Sequence, residues 1–189
     1  PAMRGVPGLD LVIAGYDEEG YQQIVEQLAA AAGVADRIRF IGPVDDDDKW
    51  DLIGRAVCLA LTSYNENFGI AAAEAMAAGC PVVVNPEVGV ADIVRDSACG
   101  LIVAGDSGAI AAALGSLAID PELRLTMGAA GRRVAAERFS WPAIARAAQD
   151  LYEICRADEA RDRLRNTMPT AGQCAAPMVE VTPHLERDR

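Results

Sequence analysis

The fold is decided by residues 57–84, which read VCLALTSYNENFGIAAAEAMAAGCPVVV. Val57–Leu61 and Pro81–Val84 are short runs that are apolar on both faces, which is typical of strands buried inside a sheet. Phe68–Ala78 lies between them and has the alanine-rich composition of a helix. A strand, a helix and a strand in this order predict two parallel strands joined by a crossover helix.

The same alternation continues on both sides of this stretch. Further strands are predicted at Leu9–Ala14, Arg37–Ile41 and Gly100–Val103. Further helices are predicted at Glu18–Ala32, Asp46–Ala56 and Gly89–Ser97. From Ser107 to about Ala160 the pattern is helical only, and Pro121 and Ser140-Trp141-Pro142 are placed to open helices. We therefore predict a doubly wound α/β domain of the Rossmann-like type, with a parallel sheet covered by helices on both faces.

The length of 189 residues predicts one domain and a remainder. We place the domain at residues 1–155, and the end of the last helix followed by a disordered tail at residues 156–189. The tail is expected because from Asn166 onward Pro, Thr, Gly and charged residues mix without a period.

Composition excludes several classes of function. The 17 Lys and Arg residues against 28 Asp and Glu residues give a net charge of −11, which would repel a nucleic-acid backbone. No apolar run is long enough to span a membrane and no leader opens the chain, so we expect a cytoplasmic protein. The five cysteines lack C-x-x-C spacing, which favours buried thiols. The single histidine, His184, lies in the polar tail, which removes catalytic triads from the folded part.

Ligands of a doubly wound sheet bind beyond the carboxyl ends of its strands. The loops predicted at this rim are Gly15–Glu18, Gly42–Asp48, Thr62–Phe68 and Asn85–Gly89. In the third loop Glu66 directly precedes a helix, and Glu74 lies about two turns inside it, so that both carboxylates can face one cleft. Gly69 lets the backbone approach a ligand, and the free N–H groups of the helix start suit a phosphate or a sugar.

The segment ENFGIAAAEAMAAGCPVV, residues 66–83, resembles the signature of the retaining glycosyltransferases of family 4. The resemblance extends to LVIAG at 11–15, FIGPV at 40–44 and VGVADIV at 88–94, and it covers residues 9 to about 155. Members of this family have two Rossmann-like domains that face each other across a cleft, the GT-B architecture. The chain resembles the C-terminal, donor-binding domain, with residues 1–155 as a nucleotide-sugar-binding unit.

The resemblance implies a role for each matching residue. Glu74 would accept hydrogen bonds from the ribose hydroxyls of a nucleoside-diphosphate sugar, and Glu66, the candidate catalytic residue, would hold hydroxyls of the donor sugar. The donor sugar and diphosphate would be bound by Asn67, Phe68, Gly69 and Ile70, and the base pocket lined by Gly42, Val44 and Lys49. The family uses no protein nucleophile, and we expect no cofactor and no metal.

The chain departs from the family pattern in two places. The family carries a Gly-Arg…Lys-Gly pattern on the first strand and loop of this domain, whereas Arg4 does not fit it and Lys49 is the only lysine. The usual Gly-Gly-x-x-Glu reads Val88-Gly89-Val90-Ala91-Asp92. The acceptor-binding N-terminal domain is also absent from the sequence, and contact with a membrane surface would be made through it. We therefore expect this chain alone to be inactive or weakly active.

The family's strand order, 3-2-1-4-5-6, implies that the absent first strand would lie between Leu9–Ala14 and Val57–Leu61. Three outcomes follow: direct pairing of these two strands, supply of the missing strand by another polypeptide, or a chain that is only marginally folded. We favour direct pairing, because unpaired backbone groups inside an apolar sheet are costly.

The run Asp45-Asp46-Asp47-Asp48-Lys49 has three interpretations. It matches a protease cleavage tag, but it lies inside the domain pattern; it also contains the D-x-D spacing of some metal-dependent glycosyltransferases. We favour a solvated helix start, because acidic side chains stabilise the positive end of a helix.

Two other functions stay open beside donor binding. One is half of a sugar-nucleotide epimerase, which shares the two-domain architecture and needs no acceptor. The other is a non-catalytic nucleotide-binding or scaffold module. A Rossmann dehydrogenase is disfavoured, because no predicted strand leads into G-x-G-x-x-G.

Overall fold

The computed structural model describes residues 1–17, 19–64 and 66–167, with side chains described up to residue 158. Two compact units are distinguished, Pro1–Ile144 and Ala145–Arg189. The disordered tail predicted from Asn166 onward lies outside the described residues, except for Asn166 and Thr167, which are helical.

The predicted alternation of strands and helices is confirmed. The strands are β1 (Leu11–Ala14), β2 (Ile38–Gly42), β3 (Leu59–Leu61), β4 (Val82–Val84) and β5 (Gly100–Ile102). The helices are α1 (Tyr21–Ala31), α2 (Asp46–Arg55), α3 (Ile70–Ala78), α4 (Ala91–Ser97), α5 (Ser107–Ile119), α6 (Pro121–Val134) and α7 (Trp141–Thr167). None of the described helices is long and apolar enough to cross a membrane.

The strands form two parallel sheets rather than one. β1 pairs with β2, and β3, β4 and β5 pair in that order. No backbone hydrogen bond between described residues joins β1 to β3, so the favoured prediction that Leu9–Ala14 pairs directly with Val57–Leu61 is wrong. Side chains hold the two sheets together instead, because Leu11, Val57 and Val83 belong to one apolar cluster.

The N-terminal segment is held in place by the guanidinium group of one arginine. Ala2–Gly5 forms a 3-10 turn whose Met3 is buried. The Arg37 guanidinium donates hydrogen bonds to the carbonyl oxygens of Met3, Val6 and Leu9 at 2.6, 2.8 and 3.3 Å. Arg37 lies directly before β2 and so ties the segment leading into β1 to the neighbouring strand.

β4 is the centre of the core. Val82 and Val84 face one apolar cluster, which includes Met76 of α3 and Val94 of α4. Val83 faces the other cluster, which includes buried residues of the N-terminal segment and of helices α5 and α6: Met3, Val6, Ala113, Leu114, Leu117 and Met127. All three valines are completely buried, as the all-apolar sequence predicts for a strand covered on both faces.

Close packing against α6 fixes the position of α3. A Cβ atom on Gly128 would lie 2.2 Å from the carbonyl oxygen of Gly79, and one on Gly131 would lie 3.2 Å from Cα of Met76. Arg132 donates a hydrogen bond from Nη2 to the carbonyl oxygen of Ala78, which satisfies one of the free carbonyls at the end of α3. The helix that carries Glu74 is therefore held at its C-terminal end.

Candidate functional site

The start of α3 depends on a glycine. Gly69 is the N-cap residue with φ of +95°, so α3 begins at Ile70, two residues later than predicted. A Cβ atom on Gly69 would lie 3.0 Å from Cγ1 of Val88 and 3.1 Å from Cδ2 of Leu61. Both the backbone conformation and the lack of space require glycine here, because other residues are strained at positive φ.

Glu66 caps this helix start. Its Oε1 atom accepts hydrogen bonds from the backbone N–H groups of Phe68 at 3.3 Å and Gly69 at 3.1 Å. A carboxylate at this place satisfies free N–H groups and interacts favourably with the positive end of the helix. Glu66 therefore occupies two of the backbone donors that the sequence analysis assigns to a donor sugar or diphosphate.

The residues beside Glu66 differ in exposure. The Asn67 side chain is exposed, and so are Phe68 and Ile70, which are 39% and 69% exposed, whereas Gly69 is buried. Phe68 also packs edge-on against Phe139, with ring centroids 5.5 Å apart. The start of α3 is thus anchored on one side and open to solvent on the other.

The loop after β4 is in direct backbone contact with the loop that carries Glu66. Val90 donates a backbone hydrogen bond to the carbonyl oxygen of Phe68 at 2.9 Å. A Cβ atom on Gly89 would lie 2.0 Å from the carbonyl oxygen of Asn67, so the two backbones meet without space for a side chain. The glycine retained from the family's Gly-Gly-x-x-Glu pattern therefore joins the loop after β4 to the loop that carries Glu66.

Glu74 and Lys49 meet between α2 and α3. Lys49 Nζ lies 2.8 Å from Oε1 of Glu74 and 3.1 Å from Oδ1 of Asp46. The hydrogen bond to Glu74, followed by that to Asp46, raises the pKa of Lys49 above its usual value. The Lys49 ammonium also lies 5.3 Å from the ring centroid of Trp50. The structure thus brings together two residues that the resemblance assigns to the nucleotide.

The other residues predicted for the base pocket lie where β2 ends. Gly42 has φ of +69°, and its carbonyl oxygen accepts a hydrogen bond from Gly15 N–H at 2.9 Å. Val44 lines a shallow surface pocket beside α2 with Pro43 and Leu52. Gly42 does not line this pocket.

The acidic run is a helix start, as predicted. Asp45 is the N-cap residue of α2 and accepts a hydrogen bond from Asp48 N–H at 2.9 Å, and Asp46, Asp47 and Asp48 form the first turn. Within the described part of the chain, no three histidine, cysteine or acidic side chains are grouped to hold a metal ion.

Asn85 is a rim residue that the sequence analysis did not single out. It follows β4 directly and is completely buried, and neither its side-chain nitrogen nor its oxygen has a hydrogen-bond partner among the described residues. An unpaired buried amide costs about 1–3 kcal/mol. An asparagine placed directly after three valines is the only local signal that could have identified it.

Two cysteines that lie ahead of β3 and β4, at the opposite end of these strands from Asn85, are neutral. Burial raises the pKa of Cys58 to about 12 and that of Cys80 to about 11. Cys80 is buried, and its Sγ atom lies 3.8 Å from the carbonyl oxygen of Ala56. These thiols behave as small apolar groups, as predicted.

Known proteins match this chain over most of its described length. The family described as Glycosyl transferases group 1 matches residues 2–134. The chain is 39% identical over 142 residues to a D-inositol 3-phosphate glycosyltransferase of Streptomyces scabiei, a match that covers 75% of this chain and 32% of the relative. The chain thus spans about a third of the length of the curated relatives it matches.

Solved structures share the fold. The C-terminal domain of a glycosyl transferase group 1 family protein (LpcC) from Francisella tularensis is 28% identical with a TM-score of 0.57, and the match covers 66% of this chain and 65% of that one. Anabaena Alr3699/HepE, solved in complex with UDP-glucose, has a TM-score of 0.71 over 82% of this chain and 43% of that one. Its 23% identity limits that likeness to the fold.

Proposed function

The chain belongs to the glycosyl transferases of group 1 and has the fold of a Rossmann-like GT-B domain, and from this premise we propose that it is the donor-binding half of a retaining glycosyltransferase. The substrate class we propose is a nucleoside-diphosphate sugar. One observation carries the proposal: Glu66 accepts hydrogen bonds from the N–H groups at the start of α3, in the loop that follows β3, beside the exposed residues Asn67, Phe68 and Ile70. HepE, whose likeness to this chain is one of fold, has been solved with a ligand of this class.

Glu74 is the proposed ribose ligand. Its Oε1 atom already bonds Lys49, which leaves Oε2 to accept hydrogen bonds from ribose hydroxyls. Lys49 would therefore orient the carboxylate, and its own position would be fixed by Asp46 on the preceding turn of α2. In this role Lys49 acts through Glu74 rather than on the reacting atoms.

Glu66 is the proposed ligand of the donor sugar. With Oε1 on the backbone of Phe68 and Gly69, its second oxygen is available to a sugar hydroxyl. The remaining N–H groups at the start of α3 would face the diphosphate and stabilise the negative charge that grows on it as the glycosidic bond breaks. Retention would then need no protein nucleophile, because the acceptor would attack on the face from which the nucleotide leaves.

Weak binding and little turnover are proposed for the chain alone. A charge-assisted hydrogen bond to a phosphate is worth about 1.5–3 kcal/mol. The sequence lacks the Gly-Arg…Lys-Gly pattern, and its net charge of −11 opposes binding of an anion. Multiple turnovers at an ordinary enzyme rate by the purified chain would contradict this part of the proposal.

Calorimetric titration with UDP, GDP, ADP and their sugars tests the assignment. We expect Glu74→Ala to weaken binding of the nucleoside diphosphate itself by about tenfold to a hundredfold. Glu66→Ala should weaken only the sugar-bearing donors. Glu26→Ala, on the exposed surface of α1, is the matched control and should leave both affinities unchanged. Equal losses for nucleotide and nucleotide sugar in both variants would remove the role assignment.

One observation favours the non-catalytic alternative. Each of the two candidate carboxylates already has a partner within the chain at its Oε1 atom, Glu66 in backbone N–H groups and Glu74 in Lys49. A scaffold module would keep these contacts for stability and would bind none of the titrated nucleotides. In that case Glu66→Ala would lower the melting temperature, and titration of the wild-type chain would show no heat of binding.

A further inference from the structure

α6 is followed by a wide helical turn that packs against the segment opening α3. α6 ends at Val134, and the next residues, Ala135–Phe139, form a π-helical turn before α7 begins at Trp141. A π-helical turn closes its hydrogen bonds over five residues rather than four, and such turns are frequent at functional sites. The last residue of the turn, Phe139, contacts the ring of Phe68.

The π-helical turn decides which side chain meets Phe68. Val134 and Ala135 are buried, and an α-helical period would place Arg138 next on the same face. In the structure Arg138 is exposed instead, and Phe139 is half-buried against the apolar cluster on the α3 side of β4. The wider turn thus directs an aromatic side chain, rather than a charged one, at the start of α3.

Phe68 is held at three points. Its N–H donates to Oε1 of Glu66 at 3.3 Å, its carbonyl oxygen accepts from Val90 N–H at 2.9 Å, and its ring meets Phe139 edge-on with an interplanar angle of 84°. The next residue, Gly69, donates the second hydrogen bond to Glu66 and has no side chain of its own to hold it. Because glycine has the greatest backbone freedom, the position of both N–H groups depends on how Phe68 is held.

We propose that Phe139 is a positioning residue: through the ring of Phe68 it holds the N–H groups of Phe68 and Gly69 in the places that Glu66 and a donor sugar require. An edge-on aromatic pair is directional, because the positive edge of one ring meets the negative face of the other, so it fixes an orientation as well as filling space. Phe139 acts through Phe68 and not on the donor. The inference rests on the proposed function and adds a residue to it.

The first test needs no ligand. Amide hydrogen exchange at Phe68 and Gly69 is measured by NMR in the wild-type full chain and in Phe139→Ala. We expect exchange at Gly69 to be about threefold to tenfold faster in the variant, the range that an aromatic pair contributes. Leu117→Ala is the matched control, because it truncates a completely buried side chain of α5 in the other apolar cluster. It should lower the melting temperature without changing exchange at Gly69.

The second test uses the nucleotide sugar that the wild-type chain binds in the calorimetric series, and its nucleoside diphosphate alone. We expect Phe139→Ala to weaken the sugar-bearing donor about threefold to tenfold. The affinity of the diphosphate should stay within about twofold, because its proposed ligands Glu74 and Lys49 hold each other in place. Leu117→Ala should change neither affinity.

A double-mutant cycle tests whether Phe139 acts through Phe68. Phe68→Leu and Phe139→Leu each remove one ring and keep the backbone N–H groups, and the double variant removes both rings. We expect all three variants to weaken the sugar-bearing donor by the same factor, because the same contact is lost in each. These leucine variants replace Phe139→Ala in every measurement if that variant does not fold, as judged by circular dichroism.

The outcomes separate this inference from the proposed function. If the wild-type chain binds no nucleotide sugar, the proposed function fails, and exchange at Gly69 alone decides the role of Phe139. In a chain that binds donors, unchanged exchange at Gly69 or unchanged donor affinity in Phe139→Ala would each overturn the role of Phe139 alone. Equal losses for donor and diphosphate, or losses that multiply in the double variant, would show that Phe139 supports the fold and not the site.

Discussion

β4 and β1 have similar sequences and different surroundings. Val82–Val84 is completely buried, whereas Leu11, Val12 and Ile13 of β1 are only half-buried and Ala14 is exposed. Among the described residues, β4 has hydrogen-bonded strands on both edges, and β1 has one on a single edge. The apolar pattern thus predicts that a strand forms, but the neighbouring strands and the helices that cover its faces decide how much of its side-chain surface is removed from water.

The candidate site also has a densely packed part and an open part. Glu66, Gly69 and Glu74 belong to the segment between β3 and β4, where loops and helices meet in direct backbone contact. Gly15 and Gly42, at the ends of β1 and β2, have open space around them. If the densely packed half of the rim is the rigid part of the site, substitutions there should lower the free energy of unfolding far more than equivalent substitutions in the half formed by β1 and β2.

The largest effect is expected from Gly89→Ala. The added Cβ atom would overlap the carbonyl oxygen of Asn67, and since both atoms belong to the backbone, relief requires the two loops to separate. We expect the free energy of unfolding to fall by about 3 kcal/mol or more. Gly54→Ala is the matched control, because it lies in α2 with open space and should stabilise by about 0.5–1 kcal/mol. Urea denaturation measures both, and a neutral Gly89→Ala would contradict the packing.

Valine truncation compares the two halves directly. Val83→Ala removes two methyl groups from a completely buried site, and we expect a loss of about 2–3 kcal/mol in the free energy of unfolding. Val12→Ala removes the same groups from a half-buried strand and should cost only about 1 kcal/mol. Equal losses in denaturant titrations would mean that β1 is as well covered in solution as β4.

Asn85→Val should stabilise the packed half. The substitution replaces a buried amide that has no hydrogen-bond partner among the described residues by an apolar side chain of similar volume. We expect the free energy of unfolding to rise by about 1–2 kcal/mol, because an unpaired polar group is removed from the core. A loss of stability would indicate that the Asn85 amide is hydrogen-bonded in solution.

The smallest effect concerns the ion pair between α2 and α3. Glu74→Gln removes the main cause of the raised Lys49 pKa and should move that pKa down toward its usual value. Because a raised lysine pKa stabilises the folded state below the unfolded value of about 10.4, the contribution is lost only as the pH rises above about 10. Carbon-13 methylation labels Lys49 as the only lysine, so one side-chain NMR signal reports its titration. An unchanged pKa in Glu74→Gln would contradict the contact.

The order and type of the elements could be predicted from the sequence, because short apolar runs alternate with longer segments of helical composition. Boundaries were less well predicted where tertiary contacts set them. α3 begins at Ile70 because Gly69 adopts a positive φ at the N-cap, in a place where Val88 and Leu61 leave little space for a Cβ atom, and no local pattern reveals this. The pairing of β1 with β3 was predicted wrongly, because hydrogen bonding was assumed to close the sheet, whereas side-chain packing holds the two parts together.

The candidate site was partly predictable. The family resemblance grouped Glu74 with Lys49, and the two side chains are in contact. The capping of α3 by Glu66 and the contact of Gly89 with Asn67 were not predicted, because both depend on how loops meet in space. The roles of all these residues toward a donor remain predictions that the titrations address.

The glycines between α3 and α6 also have a mechanical consequence. With Gly128 against the carbonyl oxygen of Gly79 and Arg132 bonded to Ala78, α3 has no clearance to slide along or rotate against α6. The two helices must move as one rigid unit, so a displacement of the first turn of α3 also displaces α6. If a ligand requires the backbone at Glu66 to move, the movement would therefore take place in the loop ahead of α3. The helix itself would keep its position.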